Sequence, residues 1–413
     1  MITDVRQSAA RHDATLRQRL DTIVPLAMQR AELDAWVIIG REYAEGPVLR
    51  TMLPATWITA RRRTILVFLR TGQSVERLAV ARYAVDDLFP SAWDPDTQPD
   101  QMARLAELLV EAAPRRIGID VSGALNHGDG LSATDHDLLR AALPPELASR
   151  LVPAELAAMV WLQTRDAAEV VGMRTACAHA HALLARALSS EVITPGRTTT
   201  ADVEWWLRQA VHADGLGSWF HPSTSVQRGG DGPTAFASHP GDDVIEPGDL
   251  VHIDFGLIMD DLCTDQQQHG YVLRPKESEP PTYLVDALRI GNRLQDIVMA
   301  ELRPGRTGNE VLAEARAVAA KESIDASIYS HPIGLHGHGA GPAIGLWDRQ
   351  DGVPGSGDLP IDLDTCWSIE LAAMVEAPAW GGRIAIRLEE DAHLDAAGTH
   401  WLDGRQTALH VIG

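Results

Sequence analysis

Cysteine is scarce in this 413-residue chain. Cys177, Cys263 and Cys366 are its only three, odd in number and widely spaced, which excludes a disulfide scaffold and a CxxC zinc pattern and points to a reducing, cytoplasmic compartment. Positive charge is short as well. With 36 Lys and Arg against 57 Asp and Glu the net charge is −21, so neither a nucleic acid nor an anionic membrane surface is an expected partner. The nearest approach to a basic stripe, Arg61-Arg62-Arg63, runs at once into the apolar stretch 64–69 and reads as the polar edge of a strand. No apolar run reaches the roughly 18 residues of a membrane span, and the first thirty residues carry charge every few positions, so no signal peptide is expected either. Also missing are a G-x-S-x-G elbow, an HExxH helix, a Walker lysine and a strand-linked GxGxxG. Serine hydrolase, zincin, NTPase and dinucleotide-binding readings therefore lack their minimal parts.

The length allows two or three domains. In the first third, a polar helix over about 5–33 precedes short apolar runs at 35–39, 64–69 and 116–120, with a helix around 99–113, an alternation that argues an α/β layer on a mixed or parallel sheet. Prolines at 144, 145 and 153 mark a boundary, giving an α/β N-terminal domain over 1–158 and a second domain over 159–413. Asp166-Ala-Ala-Glu169 then has the form of a capping box opening a long helix to about residue 190. A repeat follows. Ile193-Thr-Pro-Gly-Arg-Thr198 recurs 109 residues later as Leu302-Arg-Pro-Gly-Arg-Thr307, each copy turning through Pro-Gly and capping a helix with threonine. After each copy comes a hairpin: 246–273, turning about Met259-Asp260, and 364–389, turning about Ala379-Trp380.

Those turns place acid against acid. Asp254 is expected to face Asp265 in the first hairpin, and Glu370 to face Glu389 in the second. Directly opposed strand residues have Cβ atoms about 4.5–5.5 Å apart, where like charges repel. Asp254 and Glu370 lie within apolar runs, so a divalent cation between the acids is the expected compensation. Tyr329-Ser-His-Pro-Ile-Gly-Leu-His-Gly-His-Gly339, a Gly-rich loop between the hairpins, offers His331, His336 and His338 to such a site.

In this order of residues the chain resembles the pita-bread metallohydrolases: methionine aminopeptidase, aminopeptidase P, prolidase and creatinase. Their shared metal set runs Asp, Asp, His, Glu, Glu with the aspartates eleven apart, as Asp254 and Asp265 are. A metal histidine and a catalytic histidine seven residues on match His331 and His338, and the two glutamates match Glu370 and Glu389, the latter two positions after Arg387. The resemblance covers about 160–413 and implies an α+β pita-bread domain with an internal pseudo-two-fold repeat. It further implies that the α/β domain is of the creatinase N-terminal type, which methionine aminopeptidase lacks. The implied activity is that of a dinuclear hydrolase, an Xaa-Pro aminopeptidase or prolidase using a metal-bridging hydroxide. Two divalent ions are implied, manganese first, with iron, cobalt or zinc also compatible. Catalysis would fall to Glu370, His338 and an upstream histidine, His239 by spacing, with His221 its competitor. The substrate would be a peptide or small amide, the assembly a homodimer. The alternative on the same fold is a C–N hydrolase or lyase acting on a small metabolite. Three features depart from the relatives: Gln266-Gln267-Gln268-His269 stands after Asp265 where threonine and a basic or polar residue are usual, Pro332 replaces a glycine, and the upstream histidine is ambiguous. Tryptophan, 11 residues against five each of Phe and Tyr, offers Trp219 and Trp347 beside the site as pocket walls.

Overall fold

The structure, a computed structural model, describes residues 4–231 and 242–413. Two compact units divide at Thr164 and Arg165.

In the first unit a mixed five-stranded sheet has the order β3-β2-β1-β4-β5, formed by Ala35–Arg41 (β1), Arg63–Thr71 (β2), Ser74–Val80 (β3), Ile117–Ile119 (β4) and Leu151–Pro153 (β5). The antiparallel β1–β2–β3 meander continues through parallel β1–β4–β5 pairs, which a chain can make only by crossing over through helices such as Gln101–Ala112. One face of the sheet packs Val37, Ile39, Ile65 and Val67 against Leu105, Leu109 and Leu139 from the helices. The arginine run does edge a strand: Arg63 opens β2 and pairs with Asp135 at 3.0 Å, while Arg61 stacks on Trp57.

Asp120, just beyond β4, is buried beside Trp36, whose Nε1 donates to it at 2.9 Å, and burial pushes its pKa up to about 7. Between about pH 4 and 7 the folded chain therefore holds a proton that the unfolded chain has released, so this residue's contribution to stability falls as pH rises through that window. Asp120→Asn keeps the acceptor for Trp36 and removes the titration. Urea unfolding of the first unit's fluorescence is expected to show the variant about 2–4 kcal/mol more stable than wild type at pH 8, and little different at pH 4. An equal difference at both pH values would refute the shifted carboxyl.

The second unit is built twice over. Helix Ala167–Ala187 opens on a capping box between Asp166 and Glu169, as its sequence predicts. Each Pro-Gly turn caps a helix, Thr200–Ala213 or Gly308–Lys321, through a capping box of its own. In the first copy the cap is Thr199, one residue later than expected, because Thr198 Oγ1 instead accepts from the Thr194 N–H at 2.9 Å. Both turns are tied alike: Gly196 N–H donates to Ile245 O at 2.8 Å, and Gly305 N–H to Ile361 O at 2.9 Å. Each half buries its own core, one around Leu184, Val203, Leu207 and Ile253, the other around Leu288, Val298, Leu312 and Ile386.

The first half-sheet joins Ser223–Gln227 (β6), Leu250–Phe255 (β7) and Gln266–Val272 (β10), with the ribbon Ile258–Met259 (β8) and Leu262–Cys263 (β9) closing the β7–β10 hairpin. The second half has Asp325–Ile328 (β11), His331–Ile333 (β12), Thr365–Ser368 (β13), Leu371–Ala377 (β14), Gly382–Leu388 (β15), Asp391–Asp395 (β16) and Gly398–Trp401 (β17); His410–Ile412 (β18) returns to pair with β10. The second hairpin has the expected register, Leu371 opposite Leu388 and Ser368 opposite Asp391. The first does not. Its turn residues are Asp260 and Asp261, both at positive φ, so Asp254 stands opposite Gln267 and not Asp265. The two hairpins meet at a bridge, where Gln267 and Glu389 exchange backbone hydrogen bonds of 2.9 and 3.3 Å.

Candidate metal centre

At that bridge the acids converge. Side chains alternate along an extended chain, so Asp265, just ahead of β10, and Gln267 within it share a face, and Asp254, opposite Gln267, joins them diagonally. Glu370 and Glu389 sit at the break between β13 and β14 and its partner break between β15 and β16. His331, heading β12 opposite Ser368, brings its Nε2 to 3.5 Å from Glu389 and 3.9 Å from both Asp265 and Glu370.

Three groups of donor atoms lie within 4.8 Å of one another: Asp254, Asp265 and Glu389; His331, Glu370 and Glu389; and Asp265, His331 and His338. Burial of so many like charges has a direct electrostatic consequence. Desolvation first, and then the charge of Glu389, hold the carboxyls of Asp254, Asp265 and Glu370 well above the usual carboxylate range. Two further observations fit a cation. Asp265 Oδ1 and His331 Nε2 are buried without a hydrogen-bond partner. His331 Nδ1 lies 3.0 Å from Pro332 O, to which only a protonated nitrogen can donate, so Nε2 is the ring nitrogen that faces the acids and is placed to ligate a cation.

This donor set lies inside residues 171–396, the stretch that matches Metallopeptidase family M24. The chain belongs to that family. Its pita-bread fold is shared by X-Pro aminopeptidase from Thermotoga maritima MSB8, 17% identical with a TM-score of 0.64, covering 92% of this chain and 98% of that one. Dipeptidase PepE from Mycobacterium ulcerans is 22% identical at a TM-score of 0.63, with 97% and 98% covered. The N-terminal domain of FACT complex subunit SPT16 from Eremothecium gossypii has the same fold at 13% identity and a TM-score of 0.62, with 100% and 99% covered. No curated protein matches the sequence.

Seen as an M24 site, the cluster brings together Asp254, Asp265, His331, Glu370, Glu389 and His338. His338 is exposed at its mouth, its ring 4.8 Å from that of His331 and 5.2 Å from Trp219. Trp219 is held there by its Nε1, which donates to Thr264 O at 3.0 Å. Trp347 is half-exposed on the surface. Of the two upstream histidines, His239 lies outside the described residues, and His221 turns back to the helix Thr200–Ala213, 3.4 Å from Glu204 and with its ring tilted at 58° to Trp205.

The glutamine run has partners that the sequence alone did not reveal. Gln266 donates to Asp391 at 2.9 Å, Gln268 to Glu390 at 2.8 Å, and Gln267 to both Glu370 and Glu389. Behind them His181 pairs with Glu390 at 2.6 Å and Asp403 at 2.8 Å, and its pKa is pushed up to about 9: burial alone would lower it, but the two carboxylates outweigh that. Three consecutive amides in a fully buried strand were the available signal, since buried polar groups must find partners.

Proposed function

We propose that this M24 protein is a dinuclear metallopeptidase of the Xaa-Pro aminopeptidase or prolidase kind, cleaving the bond between a residue and a following proline. The observation that carries the reading is the sharing of Glu389 by two separate donor groups, one with Asp254 and Asp265, the other with His331 and Glu370, an arrangement suited to two adjacent cations. Manganese is the first choice for so oxygen-rich a set. Divalent ions held there would supply Lewis acidity, lowering the pKa of a water and polarising the scissile carbonyl.

The chain's own groups do the rest. Glu370, in the role the family resemblance implies, accepts a proton as water attacks and passes it toward the leaving nitrogen. His338 at the mouth donates to the developing oxyanion. Trp219, edge-on to His338, gives that mouth an apolar wall of the kind a proline ring would pack against. Free, buried Cys177, Cys263 and Cys366 support a reducing, cytoplasmic setting, and among the described residues no helix is long and apolar enough to cross a membrane. The working assembly in this reading is a homodimer, as the family resemblance implies.

The test offers manganese-loaded protein Xaa-Pro dipeptides, longer Xaa-Pro peptides and matched Xaa-Ala controls. Expected are cleavage of the Xaa-Pro bond, weak or no cleavage of the controls, and loss of activity on chelation. Purified protein that takes up no transition metal, or loaded protein that cleaves none of these, overturns the reading.

A further inference from the structure

We propose that Gln267 is a positioning residue for the metal centre, dictating which oxygen of each glutamate is turned toward the cations. The inference rests on the metal reading above and on geometry that reading does not use. The Gln267 Nε2 atom carries two hydrogens and has two carboxylates in reach, Glu370 Oε1 at 2.5 Å and Glu389 Oε2 at 2.7 Å. The other oxygens, Glu370 Oε2 and Glu389 Oε1, are those that face His331 Nε2, at 3.9 and 3.5 Å. One amide thus engages one oxygen of each carboxylate and leaves its twin toward the donor cluster. Ser368 Oγ, donating to Glu389 Oε1, restricts the same carboxylate from its other side.

An amide can do this only if it cannot flip. Rotated by half a turn, Gln267 would set its carbonyl oxygen against two carboxylates. The structure blocks that from behind as well, because His252 Nε2 lies 3.0 Å from Gln267 Oε1 and serves it as a donor. His252 is buried, and because an amide oxygen can only accept, the contact places a proton on Nε2 and fixes the ring as the donor. The line His252 to Gln267 to Glu370 and Glu389 is therefore a directed chain of donors from the core to the site. It starts on β7, crosses to β10 and ends at the bridge joining the two half-sheets. A threonine at this position would have a single hydroxyl hydrogen and could serve one glutamate at a time. A buried carboxylate pair relieved by a neutral amide also keeps the cluster's negative charge for the cations, which an arginine or lysine in its place would cancel.

The variant that isolates this role is Gln267→Met, nearly the same shape without donors. Isothermal titration of the metal-free protein with Mn²⁺, and the visible absorption of the Co²⁺-loaded protein, read the site without any substrate. The expected result is about 10–100-fold weaker Mn²⁺ binding and a Co²⁺ band altered in position and intensity, because freed carboxylates change their mode of coordination. His252→Leu, acting one step further back, should give a smaller change of the same sign, and it keeps the test open if Gln267→Met does not fold. Wild-type protein that binds no Mn²⁺ defeats the metal reading. Wild type that binds Mn²⁺, with both variants matching its affinity and Co²⁺ spectrum, defeats the positioning role alone.

Discussion

Glu389→Gln is expected to abolish metal uptake and, at the same time, to stabilise the metal-free protein. Glu389 belongs to two of the three groups, as Asp265 and His331 also do, so its loss leaves each of those two groups with two of its three protein ligands. Mn²⁺ affinity should fall by more than about 100-fold, and hydrolysis with it, an effect above the range seen for residues that only support a ligand. The opposite sign in the metal-free state follows from the charge of Glu389, which raises the carboxyls of Asp254, Asp265 and Glu370 alike. Taking one like charge out of a buried cluster relieves that repulsion; an amide oxygen in the place of Oε2 can still accept from Gln267, while the NH2 in the place of Oε1 can donate to Ser368 Oγ, whose hydroxyl turns to accept. Differential scanning fluorimetry reads both effects. Wild type should gain several degrees on addition of Mn²⁺ at saturating concentration, while the variant should start higher and gain nothing. A variant that still melts later with Mn²⁺ would mean that Glu389 is not shared between the cations.

Why the acids could be placed from sequence, although one hairpin was misaligned, is a matter of parity. The expected turn of the first hairpin lay one residue too early, at Met259-Asp260, because Asp260-Asp261 is not the Asn-Gly or Asp-Gly pair that usually supplies two positive φ values. Moving a turn by one residue moves every cross-strand partner by two. Two is the side-chain period of a strand, so the face of each residue survives the error. Asp254 and Asp265 lost their rung and kept their face. The second hairpin needed no such luck: Ala377-Pro378 and Gly381, which adopts φ 94°, confine its turn to one place. Thr199 in place of Thr198 as the helix cap is a choice between adjacent threonines, decided by which backbone N–H each hydroxyl reaches, and nothing local separates them. The partners of Gln267 and the seat of Trp219 beside His338 were beyond reach for another reason. The two glutamates that Gln267 reaches and the carbonyl that seats Trp219 lie 45 to 122 positions away in the chain.

Gly256→Val should damage the site as severely as loss of a ligand, without touching one. Gly256 follows β7 and stands on the next rung from Phe255 and Gln266, hence opposite Asp265. Its constraint is space, for its φ is not among the positive ones. A Cβ there would lie 2.1 Å from Thr264 O, 2.7 Å from Trp219 Nε1 and 2.8 Å from the Phe220 ring. The first of these is backbone, and it is the carbonyl that receives the Trp219 indole N–H at 3.0 Å. No rotamer change relieves a backbone contact, so the β10 side of the hairpin must move, carrying Asp265 with it. Overpacking of this kind costs about 1–3 kcal/mol in a core and more against main chain. The expected outcome is a urea midpoint lowered accordingly, Mn²⁺ binding weakened by at least about 100-fold, and a shifted indole N–H resonance for Trp219, assigned through Trp219→Phe. Gly256→Ala, with the same first clash and less bulk beyond it, should show the same three changes at smaller amplitude. If the valine variant kept both the Trp219 resonance and the Mn²⁺ affinity of wild type, the close approach of β7 to Thr264 would not be what holds Asp265 in the cluster.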